Sequence, residues 1–257
     1  TVTKNNISDG KAKAVVCNSG IANTCNADGI EKAEGMCEIT ANALGISKSD
    51  IIGASTGVIG QTLDLEPVKN GINELVSGLN KNGSDSAANA IMTTDTVKKE
   101  FACEFTLGGK PCHIGAISKG SGMIHPNMAT MLAFITTDAN ISSEMLKSSL
   151  LEVVADSFNM LSVDGDTSTN DTVAILASGL CENERITEKN DDYRTFTLAL
   201  SSICEKLVKL MAKDGEGATK LVECVVTGAS DVKTAKTCAK AVICSSLVKA
   251  AMFGSDA

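Results

Sequence analysis

The 257-residue chain has no tryptophan, one tyrosine, three prolines and two histidines. Each shortage removes a class of function. With aromatics at 3%, stacking platforms for nucleobases are scarce, and the core has to be built from aliphatic side chains, alanine and methionine. A basic patch is missing too: the formal net charge is -8, and no local cluster of Lys and Arg offsets its repulsion of phosphate backbones and anionic lipid heads. Neither nucleic acid nor a membrane is an expected partner. No apolar run approaches the roughly 20 residues needed to span a bilayer. The opening Thr-Val-Thr-Lys-Asn-Asn has neither the charged nor the apolar region of a signal peptide, so the expected location is cytoplasmic. Ten cysteines without one Cys-x-x-Cys, and only His113 and His125 to help them, give no zinc spacing. No metal is expected. Cys17, Cys103, Cys224 and Cys244 lie inside apolar segments and read as small buried hydrophobes.

What is present is a chain with 43% hydrophobic residues, enough for a real core. Residues 11–18 read as a strand that runs into a turn-rich loop and then a helix ending at Leu44. A short strand over 51–59 is followed by Leu65, Val68, Ile72, Leu75, Val76 and Leu79 at helical spacing. Residues 80–86 read as a loop and Ala90-Ile91-Met92 as a strand. Residues 101–107 and 113–117 make a hairpin around Gly108-Gly-Lys-Pro111. Further on come a strand over 131–135, a helix over 142–161, a polar loop over 164–171 and a strand over 172–177. A helix over 195–213, a strand over 218–227 and an Ala-rich helix over 231–248 complete the pattern. Parallel-type crossovers mixed with a hairpin favour an α+β fold, a layered αββα-type sandwich with mixed sheets, over a doubly wound sheet. The expected division is a main domain over residues 1–180 and the start of a smaller α/β region over 181–257.

One stretch stands out. Residues 120–138 place Gly120, Gly122 and Pro126 directly before the apolar strand, so Thr130 stands at a strand entrance fed by a sharply bending loop. A reactive hydroxyl would be useful there. Elsewhere, Gly53-Ala-Ser-Thr-Gly57 fits the nucleophile-elbow pattern with Ser55 as the candidate hydroxyl, but no His-Gly-Gly motif precedes it. Gly120-Ser-Gly122 lacks the third glycine of a dinucleotide fingerprint. The acidic loop 164–171 lacks the closing glutamate of a calcium loop and reads as a solvated turn bonded to itself.

Taken together, the segments resemble the bifunctional ornithine acetyltransferases, or glutamate N-acetyltransferases, of arginine biosynthesis. The matching blocks are residues 14–23 (Ala-Val-Val-Cys-Asn-Ser-Gly-Ile-Ala-Asn), 55–60, 90–95 and 119–124 with Pro126 and Ala129-Thr-Met-Leu132. Ser157-Phe-Asn with Asp164-Gly-Asp-Thr-Ser-Thr-Asn-Asp171, and Asp214-Gly-Glu-Gly-Ala-Thr-Lys220, complete the set. They run in order along essentially the whole chain.

The resemblance implies a self-cleaving enzyme, cut between Ala129 and Thr130, in which Thr130 becomes the N-terminal residue of a second chain and the nucleophile. A free α-amine titrates near pH 8, so a useful fraction is neutral at cellular pH and can deprotonate the hydroxyl of the same residue. By the same resemblance, Thr56 and the Gly57 amide match an oxyanion hole, and Thr93, Lys119, Thr130 and Glu216 match substrate-binding positions. On residue type alone, Lys119 reads as a solvated loop cation and Glu216 as a helix-end charge. The implied substrates are acetylornithine and glutamate, with no cofactor; some members of that family also take acetyl-CoA as donor. An oligomer of cleaved α and β chains is implied as well. One departure is that the family's chains extend further at both ends and carry additional substrate-contacting residues near a C-terminus not found in this sequence. Two alternatives stand beside this reading: a self-processing aminopeptidase or amidohydrolase in which water takes the acyl group, and an inactive truncated homologue acting as an assembly fragment.

Overall fold

In the computed structural model, the structure describes residues 1–124 and 131–256. Two sheets stack face to face. Strands β1 (Ala14–Asn18) and β2 (Ile51–Ser55) pair in parallel, joined by the crossover helix α2 (Gly29–Leu44). The second sheet has the order β3 (Lys99–Leu107), β4 (Lys110–Lys119), β5 (Leu132–Thr137), β6 (Thr172–Ala177). Its first three strands are antiparallel, and β6 runs parallel to β5 after the crossover helix α5 (Ser143–Asp156).

The period-two alternation of strands decides the layers. Val15 and Cys17 of β1 and Ile52 and Ala54 of β2 meet Ile117, Leu132, Phe134, Ala174 and Leu176 of the larger sheet. The residues between them point the other way. Ala14, Val16 and Ile51 pack on α2 and on the short N-terminal helix α1 (Val2–Asn6). Ile114, Ala116, Ala133 and Ile135 pack on α5 and on the long helix α6 (Asp191–Lys213). This is the expected α+β arrangement of helix, sheet, sheet, helix. The helix α6 earns its place by its stripe: Tyr193, Phe196, Leu200, Ile203, Leu207 and Met211 recur every three or four residues and are all buried. Each contributes roughly 1.5–3 kcal/mol by leaving water. Its start is fixed by Asn190, whose side chain accepts the Tyr193 N–H at 2.9 Å.

Four local expectations are corrected. Residues 84–90 form a helix, α4 (Ser84–Ala90), preceded by α3 (Glu66–Ser77); alanines at 87, 88 and 90 favour helix, and Ile91 only caps it. Residues 218–227 form no strand. Val222, Cys224 and Val226 alternate half-buried with exposed Leu221, Glu223 and Val225, but no neighbouring strand among the described residues pairs with them. The helix expected over 231–248 is broken into α7 (Val232–Ile243) and α8 (Ser246–Gly254), restarted by the Ser245 cap. The two are bent by 54°, and no single described helix is long and apolar enough to cross a membrane. Finally, Cys17, Cys103, Cys224 and Cys244 are only partly buried; the fully buried cysteines are Cys37, Cys112 and Cys204.

Candidate active site

Strand ends converge at one edge of the sandwich. Lys119 pairs with Leu132, and Leu132 with Thr172, so the end of β4 and the starts of β5 and β6 lie side by side. The loops leaving β1 and β2 reach the same place. Asn170, just before β6, donates through Nδ2 to the Ser55 carbonyl and to Asn23 Oδ1, both at 2.8 Å. Lys119 is close enough to Cys17 on β1 for its charge to act on that thiol.

At the end of β2, the Thr56 N–H donates to the Asn18 carbonyl at 2.8 Å. The Thr56 side chain is fully buried, and its Oγ1 has no hydrogen-bond partner. Gly57 follows at φ +123°, where a Cβ would lie 2.2 Å from the Gly20 carbonyl oxygen. Only glycine fits that approach. The preceding Ser55 is not placed as a nucleophile. Its Oγ donates to the Ile21 carbonyl at 2.7 Å and accepts from Asn18 Nδ2 at 3.2 Å, so its proton is committed to holding the loop after β1. No described histidine serves it: the His113 ring is exposed and bonded to Asp138 at 2.7 Å. His125 lies outside the described residues.

Lys119 corrects an expectation. It closes β4 and is 2% exposed, not a solvated loop cation. Its Nζ donates to Thr93 Oγ1 at 2.9 Å, and no carboxylate among the described residues forms an ion pair with it. Burial lowers its pKa; the nearby Asp95 charge opposes that and the Lys99 charge adds to it. Glu216, by contrast, is an exposed charge just beyond α6, as its residue type suggested. Its N–H donates to the Ser121 carbonyl at 2.8 Å, and its carboxylate lies against Gly122, where a Cβ would come within 2.2 Å of Oε2. The structure thus brings Lys119, at the end of β4, beside the loops that carry Thr93 and Glu216, with Thr56 and Gly57 at the adjoining end of the smaller sheet.

Ala129 and Thr130 lie outside the described residues, and so does Pro126. Their flanks are held by two carboxylates from the acidic loop. Asp164 accepts the N–H groups of Met123 and Ile124, the latter at 2.9 Å, and also its own Asp166 N–H at 3.0 Å. Asp171 Oδ1 accepts the Met131 N–H at 3.0 Å. Burial raises the Asp171 carboxyl to about 7, against the opposing pull of that N–H, and its Oδ2 has no partner. Sequence reasoning took this loop for a solvated turn, and its grip on the neighbouring backbone was missed. A cavity of about 400 Å³ opens beside it, lined in part by Asn23, Ser55, Asn170 and Asp171. A second, of about 610 Å³, runs under residues 217–224 and reaches Glu216. Neither is lined by Lys119. Cys112, Asp138 and Cys181 offer metal-competent atoms within 4.8 Å of one another, but at the opposite end of the sheet, where the Cys112 thiol already donates to Asp138.

Also missed was a buried ion cluster. Lys99 is 0% exposed, with Nζ 2.6 Å from both Asp95 Oδ1 and Asp214 Oδ2. For Asp95, burial pushes the carboxyl up, but the Lys99 bond, the Gly120 and Thr93 N–H groups and the Lys99 charge outweigh it and leave the pKa lowered. The only sequence signal for it was that Asp95 and Asp214 belong to two of the matching blocks.

The ArgJ family model matches residues 1–257. Arginine biosynthesis bifunctional protein ArgJ 1 of Clostridium acetobutylicum is 54% identical over 245 residues, covering 95% of this chain and 60% of that protein. Arginine biosynthesis bifunctional protein ArgJ of Geobacillus stearothermophilus is 48% identical over 248 residues, covering 96% and 60%. A crystal structure of the arginine biosynthesis bifunctional protein from Bacillus halodurans is 50% identical with a TM-score of 0.47, covering 48% of this chain and 58% of that one. The chain spans about three-fifths of the length of these curated relatives.

Proposed function

The chain belongs to the ArgJ family, and from that premise we propose that it is an acetyltransferase moving the acetyl group of N2-acetyl-L-ornithine to L-glutamate. In this reading the Thr130 hydroxyl attacks the Ala129 carbonyl, the Ala129–Thr130 amide bond breaks to leave an ester and a free Thr130 amine, and water then hydrolyses the ester, releasing the Ala129 carboxylate and restoring the Thr130 hydroxyl. That amine then takes the hydroxyl proton as Thr130 attacks the acetyl carbonyl of acetylornithine. Ornithine leaves with the proton; the glutamate amine then attacks the Thr130 ester, the bond from the acetyl carbon to the Thr130 oxygen breaks, and the proton given up by the glutamate amine returns to that oxygen through the Thr130 amine. Thr56 Oγ1 and the Gly57 N–H stabilise the oxyanion in each step, a role usually contributing a few kcal/mol per donor. Lys119 and Thr93 bind a substrate carboxylate, and Glu216 binds an ammonium group.

The observation that carries this reading is Lys119. A buried ammonium held by one hydroxyl, with no carboxylate partner among the described residues, is costly unless an anion completes it. The unpartnered Thr56 hydroxyl supports the reading in the same way. Cleavage need not separate the two chains, because β4 and β5 pair on either side of the cut from Ile114↔Thr137 to Lys119↔Leu132.

The reading is tested by incubating the protein with acetylornithine, with and without glutamate, and following ornithine, acetylglutamate and acetate. Glutamate-dependent formation of acetylglutamate is expected. Free acetate without glutamate dependence overturns it in favour of an amidohydrolase, and acetylglutamate formed only from acetyl-CoA assigns a different donor. A folded, cleaved protein that turns over neither substrate points to the assembly-fragment reading.

A further inference from the structure

Lys99 is among the largest of the fully buried side chains, and the mechanism above gives it no task. It belongs to β3 and sits opposite Ser118 on β4, one residue before Lys119. Its two carboxylate partners come from distant parts of the chain, and each is tied to a group assigned to substrate. Asp95 Oδ1 accepts the Gly120 N–H at 2.7 Å and Oδ2 accepts the Thr93 N–H at 3.2 Å, so it grips the backbone on both sides of the Thr93–Lys119 pair. Asp214 closes α6 two residues before Glu216. It accepts the Thr96 hydroxyl and the Thr96 N–H, the latter at 3.0 Å. Asp95 is also the carboxylate whose charge acts on Lys119.

Two ammonium groups are therefore under the influence of the same buried carboxylate. Asp95 bonds to Lys99 at 2.6 Å, while Lys119 is left with a hydroxyl. Charge-assisted bonds of that kind are roughly twice as strong as neutral ones, so the occupant of Asp95 decides which cation stays available.

We propose that Lys99 is a positioning residue that occupies Asp95 and thereby keeps the Lys119 ammonium free for a substrate carboxylate. The inference rests on the binding role given to Lys119 above. Without the Lys99 charge, Asp95 turns to Lys119 and quenches it. Removing the Asp95 charge as well releases Lys119 again. A residue acting only on stability does not behave in that way, because the second substitution would add to the damage.

The experiment compares the parent, Lys99→Met and Lys99→Met/Asp95→Asn. KM and kcat for glutamate and acetylornithine are measured, and the Lys119 side-chain ammonium is titrated by NMR in protein carrying labelled lysine. Lys99→Met is expected to raise KM roughly tenfold or more with a smaller change in kcat, and to raise the Lys119 pKa as Asp95 pairs with it. The double variant is expected to return both toward the parent. Unchanged KM and unchanged Lys119 titration in folded Lys99→Met overturn the inference, and so does a double variant that is no better than the single one. If Lys99→Met does not fold, the double variant and Asp95→Asn carry the test: both should keep a parent-like KM, and a rise in either is contradictory. If the parent transfers no acetyl group, the functional reading fails, and the NMR titration still decides whether Lys99 controls the pairing of Lys119.

Discussion

The strand-end edge of the molecule holds two carboxylates, buried Asp95 and half-buried Asp171, in opposite circumstances. Asp95 has a cation at 2.6 Å and two backbone N–H donors, and its pKa is lowered. Asp171 has one N–H donor and no cation, one oxygen is unpartnered, and its carboxyl is raised to about 7. The first is a finished joint: it ties Lys99 of β3 to the loop after β4, and Lys99 in turn holds Asp214 at the end of α6. The second is open. Burial costs a charge heavily unless it is paired, so incomplete polar groups such as Asp171 Oδ2, Thr56 Oγ1 and Lys119 Nζ mark where the fold tolerates instability. All of them lie at that strand-end edge.

The contrast is sharpened first at its finished side. Lys99→Met leaves two buried carboxylates without their cation and should lower stability by about 3–5 kcal/mol, read as a fall in the denaturation midpoint; a near-parent midpoint would mean that the cluster is not buried as described. Gly57→Ala comes next, because a side chain at φ +123° must also displace the Gly20 carbonyl. A loss of roughly 3 kcal/mol is expected, together with loss of acetyl transfer.

On the open side, Asp171→Asn should stabilise the protein at neutral pH. The folded carboxyl titrates at about 7, above its unfolded value of about 4. The native state therefore holds the proton more tightly, and the stability linked to it is fully present below pH ~4 and lost as pH rises to about 7. Replacing the acid should flatten that decline and raise stability at pH 8 by roughly 1–3 kcal/mol, allowing for its partial exposure. A parallel decline in both proteins would show that Asp171 is already ionised when folded. The smallest effect is expected at Ser55→Ala, which loses a hydrogen bond to the Ile21 carbonyl and should cost about 1 kcal/mol while acetyl transfer persists. Loss of transfer without loss of stability would return Ser55 to the chemistry.

The layered α+β class was readable in the sequence because parallel-type crossovers are mixed with a hairpin; the face each strand residue takes is seen in the packing. Residues 218–227 were not readable, since alternation marks an extended chain but says nothing of whether a neighbour is there to pair with it. The 84–90 helix was lost to the β-branched Ile91, although the alanines decide its conformation. In the site, the positions matching the family lie in contiguous blocks of residues that local sequence displays. The placing of Lys119 on Thr93, the commitment of Ser55 to Ile21 and the joining of Asp214 to Lys99 depend on contacts at least 26 residues apart in sequence, which no local pattern encodes. A lysine four residues after an aspartate reads as a surface pair; only the arrival of Asp214 turns it into a buried one.

The central claim is that Thr130 carries the acetyl group, and mass spectrometry of the denatured protein tests it most directly. After exposure to acetylornithine alone, the account predicts two fragments from cleavage between Ala129 and Thr130. The one beginning at Thr130 should be heavier by one acetyl group and should return to its original mass when glutamate is added. An uncleaved chain that transfers acetyl, or an acetyl group mapped to any residue other than Thr130, would contradict it.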